Sequence, residues 1–210
     1  MRNIFVVVHA EAEHHLRGIV GGWHDSQLTS RGLDQAASVA DAVRAWVPVG
    51  APCQVYSSDL SRARQTAAPI AASLGADVVT DARLRELSYG AAEGRPDAWL
   101  QARFVPAPED NRLDHGSNIE GAETKRQFAS RIYAAMDDIL AADIEHQVIV
   151  THGFALTFVV MAWARIPIEA VGWVNLSSTA GGITHLAEDD FFHNRGVRFL
   201  NRVDHLDHVD

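Results

Sequence analysis

The sequence has little cysteine, no long apolar run and no excess of basic charge. Cys53 is the single cysteine in 210 residues, which excludes an intramolecular disulfide and favours a reducing compartment. No apolar run reaches the roughly 20 residues of a membrane-spanning helix, and the N-terminal run is too short for a signal peptide. We therefore expect a soluble, cytoplasmic protein that does not contact a membrane.

The formal net charge of −9 argues against a nucleic-acid partner, because such binding depends on clustered basic residues. An anionic ligand would have to be a small molecule attracted by a few local cations. No repeat, low-complexity tract or interdomain linker is present, and 210 residues suffice for one sizeable core. We expect a single domain over 1–210, while homo-oligomer formation stays open.

Two apolar, β-branched runs end alike. Residues 4–8 lead into His9, and residues 147–151 lead into His152 and Gly153. Such runs are typical of strands buried on both faces of a parallel sheet, and ligands bind beyond the carboxyl ends of these strands. We expect the two strands to bring both imidazoles together, with the amides that open the helix after Gly153 directed at an anion such as phosphate.

The remaining patterns predict an α/β fold, a three-layer α/β/α sandwich with a mostly parallel sheet. A polar loop is expected at 11–27 and a capping insertion over the site at about 88–142, so that the core comprises 1–87 and 143–210. The periodicity predicts helices from Thr29 to Pro48 and at 62–74, 128–139 and 154–163, and strands at 54–57, 77–80, 172–176, 182–186 and 197–203, with a turn at 194–196.

Arg62 falls in the first turn of a predicted helix. A cation there opposes the helix dipole by about 0.3–1 kcal/mol at exposed positions. Two interpretations remain at this point: Arg62 is a surface residue like Arg64, or it binds an anion.

Five segments carry a recognisable order of motifs: Val8-His9-Ala10-Glu11, residues 56–67, residues 84–90 with Glu93-Gly94, Val150-Thr151-His152-Gly153, and residues 200–206. Each motif alone is weak, but five in order are a strong signal. Together they resemble the motifs of the histidine phosphatase superfamily, the phosphoglycerate-mutase-like proteins.

The resemblance implies phosphomonoester hydrolysis of a small phosphorylated metabolite without a cofactor. His9 would be the nucleophile and form a phosphohistidine, Glu86 the general acid and base, and His152 and Arg62 the groups that hold the phosphoryl oxygens. His15, Arg17, Gly153 and Tyr89 are further candidate phosphate or substrate ligands. Two alternatives stay open: mutase-type phosphoryl transfer, and a catalytically weak protein that binds a phosphorylated metabolite.

The sequence departs from the family at Val8, where the family has an arginine, and at Ala10, where it has a glycine. A hydrogen bond to a charged group contributes about 1.5–3 kcal/mol, so activity could be weakened. His15 stands where the family has an asparagine. We expect a protonated His15 to compensate, which predicts catalysis favoured below neutral pH.

His14 and Arg17 lie in the same segment as His15. We expect His14 to be a solvated loop residue, and the role of Arg17 stays open. The cluster of His9, Glu11, His14 and His15 lacks the usual spacing of metal ligands, so no metal is expected.

Overall fold

The computed structural model describes residues 1–209, so the last residue of the predicted domain, 210, lies outside the described part. None of the helices in 1–209 combines the length and apolar character that crossing a membrane requires. The strands are β1 (Arg2–Val8), β2 (Cys53–Ser57), β3 (Val78–Thr80), β4 (His146–Thr151), β5 (Ile183–Glu188) and β6 (Arg195–Arg202); the α-helices are α1 (Glu13–Arg17), α2 (Ser30–Trp46), α3 (Ser61–Leu74), α4 (Asp97–Gln101), α5 (Lys125–Ala141) and α6 (Gly153–Trp163).

The six strands form one sheet in the order β3-β2-β4-β1-β5-β6. The four strands from β3 to β1 are parallel to their neighbours, and β5 and β6 complete the sheet in antiparallel orientation. Val8 at the end of β1 pairs with Thr151 at the end of β4. This register places the residues after both strands, His9 and His152, at the same edge of the sheet.

Helices cover both faces of the sheet. Along β1, Ile4, Val6 and Val8 point into the core layer that contains α5 and α6, whereas Phe5 and Val7 point into the layer that contains α2 and α3. This alternation follows from the two-residue period of a strand. The predicted three-layer α/β/α architecture is confirmed.

Three local predictions are wrong. The segment 11–27 contains α1, so it is not a loop throughout. Residues 172–176 do not form a strand, because the chain after Pro167 winds into a 3₁₀ helix, Ile168–Trp173, that packs against α5. The turn expected at 194–196 lies earlier, because the Asp189 carboxylate accepts three amides between 191 and 194 and closes the β5–β6 hairpin there.

The predicted capping insertion at 88–142 is too long at its C-terminal end. It includes α5, whose Phe128, Ile132 and Met136 are fully buried against the sheet. Thr124 caps this helix by accepting the amide of Gln127. The segment that lies over the edge of the sheet therefore ends before α5, which belongs to the core.

The fold makes a first prediction about the α5–α6 layer. Phe128 is 0% exposed and its ring contacts those of Phe154 and Phe158, at 5.5 and 5.0 Å between centroids. Phe128→Ala should lower the free energy of unfolding by about 3–5 kcal/mol, because it leaves a cavity. Leu33→Ala on α2, where Leu33 is 52% exposed, should change it by less than about 0.5 kcal/mol. Urea denaturation measures both, and similar losses would contradict the assigned core.

Candidate active site

His9 is held in one tautomer by the backbone. Its Nδ1 lies 2.8 Å from the carbonyl oxygen of Ala10, which can only accept a hydrogen bond, so Nδ1 carries the proton. Nε2 therefore has a free lone pair, and Arg62 Nε donates to it at 3.2 Å. Burial, helped by the charge of Arg62, lowers the pKa of His9 well below its usual range. The ring is neutral at physiological pH and presents a nucleophilic nitrogen.

His152 meets His9 as the strand pattern predicts. The centroids of the two rings are 5.1 Å apart, and Nε2 of His152 is 2.8 Å from the hydroxyl of Ser58. Nδ1 of His152 is buried without a hydrogen-bond partner. Burial also lowers the pKa of His152 well below its usual range. A bound ligand would give this unpaired ring nitrogen a partner.

Arg62 is 1% exposed, so it is not a surface residue like Arg64. Its Nη1 and Nη2 donate to the carbonyl oxygens of His24 and Gly22, at 2.8 and 2.7 Å. Within residues 1–209 no carboxylate lies within ion-pair distance of it. Burial lowers its pKa to about 10, so the group stays charged at neutral pH. A buried cation without a counterion is costly, and an anion beside His9 would neutralise it.

Glu86 lies on the same edge of the sheet. One carboxylate oxygen accepts the amide of Leu87 at 2.8 Å, and the other accepts the amide of Phe154 at 2.9 Å. Burial raises the pKa of Glu86 although these bonds and the nearby Arg62 and Arg131 oppose the shift. The first amide of α6 after Gly153 is thus directed at Glu86, whereas the sequence pattern predicts that it faces the anion.

His15 presents the opposite tautomer to His9. The amide of Ala12 donates to its Nδ1 at 3.2 Å, so in the neutral ring the proton sits on Nε2. Its ring is stacked on that of His9, with centroids 5.5 Å apart. Burial and Arg62 lower the pKa of His15. His15 can therefore donate a hydrogen bond while neutral, and the protonation assumed from the sequence is not required.

His14 is not a solvated loop residue, and that prediction is wrong. It is 7% exposed, because α1 turns its ring inward, and its Nδ1 is 2.7 Å from the hydroxyl of Ser26. Burial lowers its pKa to about 3. His14 packs beneath His15, with ring centroids 4.1 Å apart.

His9, His14 and His15 offer nitrogen atoms within 4.8 Å of one another, close enough to be tested as metal ligands. Hydrogen bonds to the backbone make these three histidines a poor set of metal ligands. Nδ1 of His15 is occupied by the Ala12 amide, and its Nε2 carries the proton in the neutral ring. Since a metal needs a lone pair from each imidazole, the arrangement suits an oxyanion better.

Comparison with known proteins agrees with this geometry. The sequence model described as the histidine phosphatase superfamily (branch 1) matches residues 4–195. The chain belongs to the histidine phosphatase superfamily.

Similar proteins cover nine-tenths or more of the chain. A protein of Hydrogenobacter thermophilus provisionally named phosphoserine phosphatase 2 is 30% identical over 98% of both chains. A protein of Proteus mirabilis provisionally named a phosphoglycerate mutase is 31% identical over 90% of this chain and 96% of its own. The mycobacterial glucosyl-3-phosphoglycerate phosphatase structure with VO3 superimposes with a TM-score of 0.78 at 23% identity, covering 97% of this chain and 100% of its own.

The remaining residues singled out from the sequence have side chains outside the cluster of His9, His152 and Arg62. Val8 packs in the α5–α6 layer of the core, so this position supplies no cation to the site. Arg17 is exposed at the end of α1. Tyr89 lines a cavity that begins beside Glu86, and burial raises its pKa to about 12.

Arg131 on α5 supports the segment that carries Glu86, and sequence reasoning missed it. Its guanidinium donates to three carbonyl oxygens, those of Arg83, Arg85 and Glu86, at 2.6–2.8 Å, and pairs with Glu123 at 2.8 Å. An arginine within the apolar face of an amphipathic helix is the sequence signal that could have indicated this role. Ser58 and Asp25 were also missed; the Asp25 carboxylate accepts the amide and hydroxyl of Ser61 and fixes the start of α3.

Replacing Arg131 should weaken the fold and the site together. Arg131→Met leaves the half-buried carbonyls and Glu123 without their partner, and should lower the free energy of unfolding by roughly 2–4 kcal/mol. Arg126→Met is the matched control on α5, because Arg126 pairs with Asp114 and Glu169 at the surface and should matter little. Chemical denaturation measures both variants. Equal losses would contradict a special role for Arg131.

Proposed function

We propose that this protein is a phosphatase that hydrolyses a small phosphomonoester through a phosphohistidine on His9. The observation that carries the proposal is the buried, unpaired guanidinium of Arg62 beside the nucleophilic nitrogen of His9. Membership of the superfamily and the phosphatase names of its relatives support the same reaction class.

In the first step Nε2 of His9 attacks phosphorus with its lone pair. The P–O bond to the leaving group breaks, and its electron pair goes to the leaving oxygen, which takes the proton held by Glu86. Arg62, the Nδ1–H of a neutral His152 whose Nε2 accepts from the Ser58 hydroxyl, and the Nε2–H of His15 bind the phosphoryl oxygens and stabilise the charge of the transition state. Arg17 and the start of α6 at Gly153 remain candidate ligands for the phosphate, and Tyr89 for the leaving group.

In the second step water enters where the leaving group was. Glu86, now a carboxylate, takes a proton from this water as its oxygen attacks phosphorus. The P–N bond breaks and its electron pair returns to Nε2 of His9, which restores the free enzyme and releases inorganic phosphate.

Trapping the intermediate tests the proposal. With p-nitrophenyl phosphate, whose leaving group needs no proton, Glu86→Gln should still phosphorylate His9 but hydrolyse the adduct roughly 100- to 10,000-fold more slowly. Phosphohistidine is labile in acid, whereas phosphoserine is stable. The adduct should therefore be lost in acid, and after an alkaline quench it should map to His9 by mass spectrometry.

His9→Ala should abolish both the adduct and turnover, whereas Glu120→Gln, at an exposed carboxylate, should leave both unchanged. Turnover by His9→Ala within tenfold of wild type would overturn the mechanism. An adduct that passes its phosphoryl group to a second alcohol and not to water would indicate the mutase reaction.

The pKa shifts predict the pH profile with a simple alkyl phosphate. The lowered pKa of His9 keeps the nucleophile neutral at acidic pH, and the raised pKa of Glu86 keeps the acid protonated to higher pH. Activity should therefore fall as pH rises through the pKa of Glu86. His15→Asn should keep this alkaline limb, since asparagine donates an N–H without titrating, and Glu86→Gln should remove it. If His15→Asn removes the alkaline fall in activity, that fall reflects deprotonation of His15 and not of Glu86.

A further inference from the structure

A cavity of about 280 Å³ begins beside Glu86. Leu87 and Phe154, whose amides hold the Glu86 carboxylate, both line it, together with Phe104 and Tyr89. Glu86 donates its proton to the leaving oxygen in the proposed mechanism, so the rest of the leaving group must lie in this direction. The volume suits a small molecule.

Two cations line this cavity and the groove that continues from it, Lys125 and Arg112. Lys125 is the only lysine of the sequence. Its Nζ donates to the carbonyl oxygen of Gly172 at 2.8 Å. Arg112 donates from Nη1 to the carbonyl of Ala107 at 3.0 Å, and its buried Nε has no partner. The two side chains bring two positive charges to one wall.

Within residues 1–209, no carboxylate lies at ion-pair distance from Lys125 or Arg112. Glu123 lines the same cavity, but both of its oxygens accept from Arg131 at 2.8 Å. Three arginines of this part of the chain have acidic partners: Arg83 with Asp81, Arg85 with Asp59, and Arg126 with Asp114.

Lys125 and Arg112 thus share one cavity wall without a carboxylate counterion, in a chain of net charge −9. Burial lowers the pKa of Lys125, and the charge of Arg112 lowers it further. An anion between them would relieve this cost, because it gives both groups a counterion.

We infer that Lys125 and Arg112 bind a second oxyanion on the leaving group, so that the substrates are phosphomonoesters whose alcohol carries a carboxylate or a further phosphate. The apolar walls, Leu87, Phe104 and Phe154, contact the carbon frame between the two anions. This inference rests on the proposed function, because it assigns the cavity to the leaving group of that reaction.

Matched substrate pairs test the inference. One pair is 3-phosphoglycerate and glycerol 3-phosphate, which differ by the carboxylate; the other is 1,3-propanediol bisphosphate and 3-hydroxypropyl phosphate, which differ by the second phosphate. Lys125→Met should lower kcat/KM roughly 10- to 100-fold for the recognised member that carries a second anionic group and less than about threefold for its partner. Lys125→Arg should restore the preference.

Arg103→Met is the control, because Arg103 is exposed, stacks on Trp99 and does not line the cavity. A preference in the first pair identifies a carboxylate, and one in the second identifies a phosphate. If Lys125→Met affects both members of each pair equally, the inference is overturned while hydrolysis by the wild type leaves the proposed function intact. Absence of wild-type hydrolysis with no adduct on His9 would instead overturn the proposed function.

A binding measurement decides the matter without turnover. Acetylation of the His9→Ala variant, which should not turn these compounds over, followed by peptide mass spectrometry, reports on Lys125 separately from the N-terminal amine. The recognised compound with a second anionic group should slow acetylation of Lys125 at least about tenfold near saturation, and its partner should not. Equal protection by both compounds, or by neither, would overturn the inference even if Lys125→Met failed to fold.

Discussion

The structure depends on one buried charge, the guanidinium of Arg62, which two backbone carbonyl oxygens hold in place. The carbonyls of Gly22 and His24 align Arg62 without neutralising it, because they supply dipoles and not charge. Asp25 fixes the helix start that delivers the side chain. Attraction for an anion is therefore present before any ligand arrives, and its energetic cost is met by the packing of the surrounding layers.

Beside this charge, backbone hydrogen bonds fix His9 and His15 in opposite tautomers. Ala10 accepts a hydrogen bond from Nδ1 of His9, while Ala12 donates one to Nδ1 of His15. Nε2 of His9 therefore carries a lone pair, and Nε2 of His15 carries a proton that it can donate. Because the tautomers are fixed, the site presents a lone pair and a hydrogen-bond donor side by side without a change in protonation.

The sequence predicted the parts of the fold and site that local pattern controls. The buried strands, the helix after Thr29 and the convergence of His9 and His152 follow from apolar runs and parallel pairing. The inward turn of His14, the carbonyl partners of Arg131 and the 3₁₀ helix after Pro167 arise from contacts between distant segments. Motifs carry no signal for such contacts, so these features required the structure.

The pairing of β1 with β4 has a consequence for how the protein acquires activity. Val8 and Thr151 are neighbours in space but are separated by most of the chain. Closing so large a loop delays strand pairing during folding, since its entropy is lost before the contacts form. A nascent or partly opened chain has neither imidazole pair nor anion pocket, so phosphoryl chemistry can begin only in a molecule whose central sheet is already assembled.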